Sequence, residues 1–320
     1  MTHAPAPNSC SSSPSGRDAD RLLDCLVVGA GPAGLTAATY LARFHRDFIV
    51  VDAGKSRARW IPTSHNCPGF PFGVAGPELL AKLRTQATEY GAEIVEGRIG
   101  KLEREGDGFI ATADDGRRWR ARHVLLATGV VDVMPAMDGL EAGIERHAVR
   151  LCAVCDGYEA SDDRIAVLAP ADEAIRHALF LRSFSRRVTA IRSEAGEPSG
   201  ECARLAGEAG VALLPPALSL RCDADGCVVE TEAGEQRFDT LYPVLGADAQ
   251  AQLATTLGAE VDDNGELRVD ARMQTSVDGL YAIGDVVSAL NQISVAMGHA
   301  AIAATTVHNR LPRNWREAQP

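Results

Sequence analysis

Lysine is nearly missing from this chain. Lys55, Lys82 and Lys101 are the only three, and arginine supplies the rest of the 32 basic residues. The 43 acids outnumber them and the formal net charge is −11, so nucleic acid and anionic membranes are excluded as expected partners. Long apolar runs are missing as well. Residues 286–309 carry no Asp, Glu, Lys or Arg, but they contain Ser, Asn, Gln, Gly and His and read as a packed helix, not a span. Residues 1–20 are rich in Ser and Pro and lack the apolar core of a signal peptide, so a disordered arm and a cytoplasmic location are expected.

What is present is ordinary for a globular protein, with 46% apolar and 23% charged residues. A length of 320 residues suggests about two domains. Ordered structure is expected from near Leu23. Leu26-Val27-Val28 enters Gly29-Ala30-Gly31-Pro32-Ala33-Gly34, a helical pattern follows, and Phe48-Ile49-Val50-Val51 ends in Asp52. That is one βαβ unit with a Gly-x-Gly-x-x-Gly turn. Gly29 permits the tight turn, Gly31 lets backbone approach a pyrophosphate, and Gly34 lets helix and strand pack closely. The helix N-terminus meets the phosphates with its positive end, and Asp52 holds a ribose hydroxyl pair. Further along, residues 77–90 read as a helix, and Asp114-Asp115-Gly116 reads as a hairpin turn. A second βαβ pattern opens at Ile165-Ala166-Val167-Leu168, with a helix near residues 173–182 and a strand at 188–191. Residues 218–238 suggest strands turning at Asp223-Ala224-Asp225-Gly226, and Leu280-Tyr281-Ala282-Ile283-Gly284-Asp285 is another strand, followed by a long helix.

Eight cysteines stand at 10, 25, 67, 152, 155, 202, 222 and 227, and they do not form a disulfide framework in a chain of this kind. Cys152-Ala153-Val154-Cys155-Asp156-Gly157 has the spacing of a redox pair. Two such thiols close and reopen a small disulfide loop, a helix N-terminus beneath them favours thiolate, and Asp156 can exchange a proton with it. A zinc site would need a second close pair, and Cys222 and Cys227 have four residues between them. Those two flank a turn and could face each other, but they are read as two incidental strand cysteines. Cys25 is a buried strand residue, and Cys67 is read as packing.

Together these motifs resemble the low-molecular-weight thioredoxin reductases. The resemblance runs from about Leu23 to Leu311 through the Gly29–Gly34 turn, Asn66-x-Pro68-Gly69, Ala127-Thr128-Gly129, the Cys152–Gly157 motif and the 279–285 stretch. It implies an α/β fold of two Rossmann-like dinucleotide-binding domains, the second inserted into the first, of a three-layer ββα type. The implied divisions are an FAD domain at 21–132 and 247–312, an inserted NADPH-type domain at 133–246 carrying the cysteine pair, and a tail at 313–320. It further implies a homodimeric flavoprotein. In it Gly29, Gly31, Pro32, Ala33, Gly34, Asp52, Asn66, Ala127, Thr128, Gly129, Gly284, Asp285, Gln292 and Ile293 hold FAD. Asp285 serves the ribityl-phosphate region, and Gln292 and Ile293 sit beside the isoalloxazine ring. His299, on the last helix, is a candidate to act on a substrate thiol, with helix packing as its other reading.

The inserted domain departs from the family. A second fingerprint, GxGxxA, is replaced here by Ala169-Pro170-Ala171-Asp172-Glu173-Ala174, and the family's His-Arg-Arg for the 2′-phosphate aligns with Arg192-Ser193-Glu194. Cβ atoms and two carboxylates therefore stand where a dinucleotide phosphate would bind, so efficient use of NADPH is not expected. The reading is an FAD-dependent thiol-disulfide oxidoreductase whose partner is a thioredoxin-like protein or a small dithiol, with ferredoxin or reduced flavin as donor. Two alternatives stand beside it. Gly157-Tyr158-Glu159 is reminiscent of dithiol oxidases that use dioxygen, and a non-catalytic redox-sensing flavoprotein would keep the same two centres without turnover.

Overall fold

The computed structural model describes residues 21–316, so the expected arm over 1–20 and the end of the expected tail lie outside the described residues. The chain opens with β1 (Leu22–Val28), α1 (Pro32–Arg43) and β2 (Phe48–Asp52), followed by α2 (Gly76–Glu89) and β3 (Glu93–Glu96). An antiparallel run follows: β4 (Ile99–Glu105), β5 (Gly108–Ala113) and β6 (Arg118–Leu126). The sheet order is β3-β2-β1-β6-β5-β4. β6 serves both halves: its first residues pair antiparallel with β5, and Arg120 to Leu126 pair in parallel with β1. The Asp114-Asp115-Gly116 turn joins β5 to β6 as expected.

The strands of the parallel half are apolar on both faces because both faces are covered. Cys25, Val27, Val50 and Leu125 share one core with α1. Leu26, Val28, Ile49 and Leu126 share another with Leu102, Phe109 and Trp119 of the antiparallel arm. Helix, parallel sheet and antiparallel arm are the three layers. Burying Leu35 and Leu41 of α1 completely is worth about 1.5–3 kcal/mol each.

The chain leaves this sheet through β7 (Val130–Asp132) and passes α3 (Leu140–Glu145) and α4 (Ala153–Asp156). A second parallel unit is built from β8 (Arg164–Ala169), α5 (Ala171–Leu181), β9 (Arg187–Arg192), α6 (Gly200–Ala209) and β10 (Ala212–Leu214). β11 (Ala217–Asp223), β12 (Gly226–Thr231) and β13 (Gly234–Phe238) form a separate antiparallel sheet, and β14 (Thr240–Pro243) returns to pair with β8. The second sheet has the order β10-β9-β8-β14. Its core again has two sides, one with α5 and α6 and one with β12 and Phe238. β15 (Ala247–Ala249) pairs antiparallel with β7, so the exit and return of the chain run side by side. α7 (Gln252–Thr255), β16 (Leu280–Ala282) and α8 (Ile293–Arg310) complete the first unit, with β16 parallel to β6. α8 meets α1 through fully buried Ala300, Ala303 and Ala304 against Ala37 and Ala38, small side chains that let the helices approach closely. Among the described residues no helix is long and apolar enough to cross a membrane.

One expectation is corrected. Cys222 and Cys227 are not separate strand cysteines but a disulfide. The two-residue turn after Asp223 sets the β11–β12 register so that Cys222 lies directly opposite Cys227, with Cα atoms 4.2 Å apart. Such direct cross-strand neighbours are close enough to bond.

Candidate active site

A cleft of about 700 Å³ runs from the β1–α1 turn to the cysteine pair. Its phosphate end is made by the three residues between β1 and α1. Gly29 has a left-handed φ of +103°, and a Cβ there would stand 2.4 Å from the Ala127 carbonyl oxygen. A Cβ at Gly34 would stand 1.9 Å from the Gly29 carbonyl oxygen. Gly31, the N-cap of α1, has an extended backbone and no side-chain cap, and the first turn carries no acid. The orphan N–H groups of that turn are thus left for a ligand. A Cβ at Gly31 would meet only Ser56 Oγ at 3.3 Å, so the space beside it belongs to the cleft.

Asp52 lines the cleft at the end of β2, accepting from the Gly54 N–H at 3.1 Å and pairing with Arg84 at 2.8 Å. Ala127, Thr128 and Gly129 line it too. The Thr128 hydroxyl donates to the Gln250 carbonyl at 2.7 Å, which pins that turn. Gly284 and Asp285 follow β16, and burial pushes the Asp285 carboxyl up against the opposing pull of Arg57, 3.6 Å away. Arg57 is a site residue that the sequence reading missed. It holds Asp132 through two bonds of 2.6 and 2.7 Å, and its partners lie far along the chain, beyond any local pattern.

At the other end stand Cys152 and Cys155, joined as a disulfide. Cys152 is the N-cap of the short α4, and its Sγ accepts from the Cys155 N–H at 3.1 Å. Gln292 Nε2 lies 3.5 Å and 3.4 Å from the two sulfurs. Asn66 Nδ2 donates to Gln292 Oε1 at 2.9 Å and to the Val154 carbonyl at 3.4 Å. The pair therefore rests on side chains from the first unit's loop and from the start of α8, beside Ile293. Asp156 lies under it. Tyr242 donates to Asp156 Oδ1 at 2.9 Å, Arg150 stands 3.4 Å from Oδ2, and burial pushes the Asp156 carboxyl up from its usual range. Arg150 and Tyr242 were not legible as site residues.

Of the expected site residues all but Gly34, whose place is the contact between helix and turn, and His299 line the cleft. His299 lies seven residues past Gln292 on α8, about 10 Å along the axis. Its Nδ1 is buried without a partner, and burial pushes its pKa down.

The second βαβ turn is built differently. A single residue, Pro170, separates β8 from α5 and caps the helix. No residue of this turn has a positive φ. Ala169 is fully buried with Val167 and Ala174, so its Cβ packs inward and does not stand in a phosphate path as the sequence suggested. The first turn of α5 instead carries Asp172 and Glu173. Asp172 accepts from the Ser199 N–H at 2.7 Å, which holds its carboxyl below the usual range and ties the 193–199 loop to the helix start. Arg192 is bound to Glu197 and to the Gly196 carbonyl.

The sequence pattern of the pyridine nucleotide-disulphide oxidoreductases matches residues 23–300, and the chain belongs to that family. It is 30% identical over 295 residues to a thioredoxin reductase of Mycolicibacterium smegmatis, covering 88% of this chain and 94% of that protein. Two crystal structures resemble it closely. That of HlmI is 29% identical with a TM-score of 0.85, over 92% of this chain and 94% of the other. A thioredoxin reductase from Streptococcus pyogenes MGAS5005 is 27% identical with a TM-score of 0.82, over 91% and 98%. The chain is an FAD-dependent disulfide oxidoreductase of thioredoxin reductase type. The cleft fits that cofactor: it offers side-chain-free space at Gly31, a helix N-terminus without a side-chain cap and the half-buried carboxyl of Asp285, groups suited to phosphates and a ribityl chain.

Proposed function

We propose that this flavoenzyme relays electrons between FAD and the Cys152–Cys155 disulfide without efficient use of NADPH, drawing on ferredoxin or reduced flavin and serving a thioredoxin-like protein or a small dithiol or disulfide. The observation that carries this is the α5 turn. Where the first unit has glycines and no acid in the first helical turn, the second has Pro170, Asp172 and Glu173, with Asp172 already engaged by Ser199. A phosphate there would meet carboxylates and no free cradle. The same reading takes 21–132 with 247–312 as the FAD unit, 133–246 as the inserted unit, and the working form as a cytoplasmic homodimer.

The residues act as follows. With FAD bound, Gly29 and Gly31 would let the pyrophosphate approach α1, Gly34 would keep the helix close against the turn, Asp52 would take the ribose, Thr128 would hold the turn beside it, and Asp285 would accept from the ribityl region. When bound, FAD supplies the two-electron exchange with the disulfide. Gln292, fixed by Asn66, holds both sulfurs at the cleft end. An incoming substrate thiol loses its proton to Asp156 and attacks one sulfur. A mixed disulfide forms and the other cysteine leaves as thiolate. Attack by the second substrate thiol releases oxidised substrate and leaves Cys152 and Cys155 reduced. Running the same exchange backwards reduces a disulfide partner.

A second reading, a dithiol oxidase that hands electrons to dioxygen, is favoured by the Gly157-Tyr158-Glu159 ending beside the pair. Anaerobic mixing with NADPH, NADH, reduced ferredoxin, reduced flavin and dithiols, followed by flavin absorbance, separates these readings. Bleaching by reduced ferredoxin or free flavin but not by micromolar NADPH is the expected result. Bleaching by dithiols alone, reversed by air, selects the oxidase. Rapid, saturable bleaching by micromolar NADPH overturns the proposal.

A further inference from the structure

Two arginines are buried among the described residues, Arg46 and Arg150, each 8% exposed. Arg46 has an evident structural task, donating to His308 Nδ1 and to the His308 and Pro312 carbonyls, which fastens the end of α8. Arg150 has no such set of acceptors. Its Nη1 lies 3.4 Å from Asp156 Oδ2 and 3.5 Å from the Asp156 carbonyl, and its Nε is buried without a partner. A buried guanidinium with an unused donor is costly, so hydrogen bonding alone does not account for its place. It lines the cleft end together with Cys152, Cys155 and Asp156.

We propose that Arg150 is a positioning residue that keeps the Asp156 carboxyl ionised, and so able to accept a proton, beside the redox pair. This rests on the reading of Cys152, Cys155 and Asp156 given above. Every packed element contributes a group that faces this carboxyl or its neighbours. Tyr242 of β14 donates to Oδ1, Glu159 opposes the ionised form from the segment after α4, and Arg150 supports it from the segment before. His147 faces Arg150 and is itself pushed down by burial, His65 stands 4.0 Å from Glu159, and Asp163 faces Tyr242. Of these groups only Arg150 brings a permanent positive charge. Burial alone drives Asp156 toward the neutral acid, and a fixed cation within 4 Å opposes that. The sign follows directly. Removing the cation raises the Asp156 pKa, so the carboxylate is lost at a higher pH and the acid limb of the thiol reaction moves up.

The test uses the FAD-loaded full chain and two readouts. One is the carboxyl infrared band that disappears in Asp156→Asn, titrated with pH. The other is the pH profile for anaerobic reduction of the disulfide by dithiothreitol. Arg150→Met is expected to move both midpoints up by more than one pH unit, and Arg150→Lys to hold them near the wild-type values. Should Arg150→Met fail to fold, Arg150→Gln gives the same comparison. An infrared midpoint that Arg150→Met or Arg150→Gln leaves unmoved overturns the proposal, even if activity falls. A midpoint that moves while the reduction profile stays put upholds Arg150 and instead removes Asp156 as the proton acceptor.

Discussion

Gly31 and Gly34 sit three residues apart in one turn, yet alanine at each is expected to fail differently. At Gly31 the backbone is extended, with φ −72° and ψ −174°, which alanine adopts freely, and the only near neighbour of a new Cβ is the Ser56 hydroxyl at 3.3 Å. Alanine is a poorer N-cap than glycine, at a cost of up to about 1 kcal/mol. Loss of glycine's unfolded-state freedom returns about 0.4–1 kcal/mol. The apoprotein should therefore melt within about 2 °C of wild type. The same Cβ stands in the cleft, however. Displacing a phosphate from one charge-assisted backbone N–H costs about 1.5–3 kcal/mol, or roughly 10- to 150-fold in FAD affinity. At Gly34 the new Cβ would lie 1.9 Å from the Gly29 oxygen and 2.9 Å from its carbon, backbone that must move. Overpacking of that kind costs about 1–3 kcal/mol before any ligand is present. At about 2–4 °C per kcal/mol the apoprotein loses several degrees, and FAD is lost as well. Thermal melts of the two apoproteins, with fluorescence titration of FAD, read both quantities. Wild-type FAD affinity in Gly31→Ala would refute the placement of the pyrophosphate over that residue.

Other outcomes follow from the same geometry. Cys152→Ser and Cys155→Ser should each abolish disulfide turnover, and one should show a long-wavelength thiolate-to-flavin band at neutral pH; wild-type dithiol activity in both makes the pair structural. Gln292→Ala removes the side-chain donor lying 3.5 and 3.4 Å from the two sulfurs, so it should slow flavin reduction by dithiols while sparing the melting temperature; an unchanged rate shows that this contact does not position the pair. In denaturant without reductant, a thiol reagent should label Cys25, Cys67 and Cys202 but neither Cys222 nor Cys227; labelling of Cys222 or Cys227 by mass spectrometry would deny the hairpin disulfide.

What the sequence made legible was local. The Gly29–Gly34 turn, the hairpin at Asp114-Asp115-Gly116 and the spacing of Cys152 and Cys155 each fit within a few residues, where backbone sterics and ring size restrict the choices. Asn66 and Gln292 entered through resemblance, and their contact spans most of the chain. Arg57, Arg150 and Tyr242 carried no signal because their meaning lies in partners. The Tyr242 hydroxyl meets an aspartate 86 residues earlier, and Arg57 meets one 75 residues later. For Cys222 and Cys227 the turn was visible but its register was not, and register decides whether two strand cysteines touch. For His299 the helix was evident, whereas its distance from the cleft depended on where along α8 the cysteine pair docks.

The two βαβ units show why folding and ligand binding part company. Both bury alanines of their first helix fully, Ala37 and Ala38 in the first unit, Ala174 and Ala178 in the second. That packing fixes the architecture and demands nothing of the turn that precedes the helix. The turn is where they differ: three residues containing two glycines in one, a lone proline in the other. A proline N-cap fixes φ near −65°, and its missing N–H removes one of the donors that a pyrophosphate would seek. On the reading proposed above, the second unit keeps its core while its turn offers no phosphate cradle. What it still delivers is placement, because the segment between β7 and β8 carries Cys152, Cys155 and Asp156 onto Asn66 and Gln292. On that same reading, a dinucleotide-type fold retained for that purpose accounts for a packed second unit beside an acid-bearing turn, and it puts the donor's point of entry somewhere other than α5.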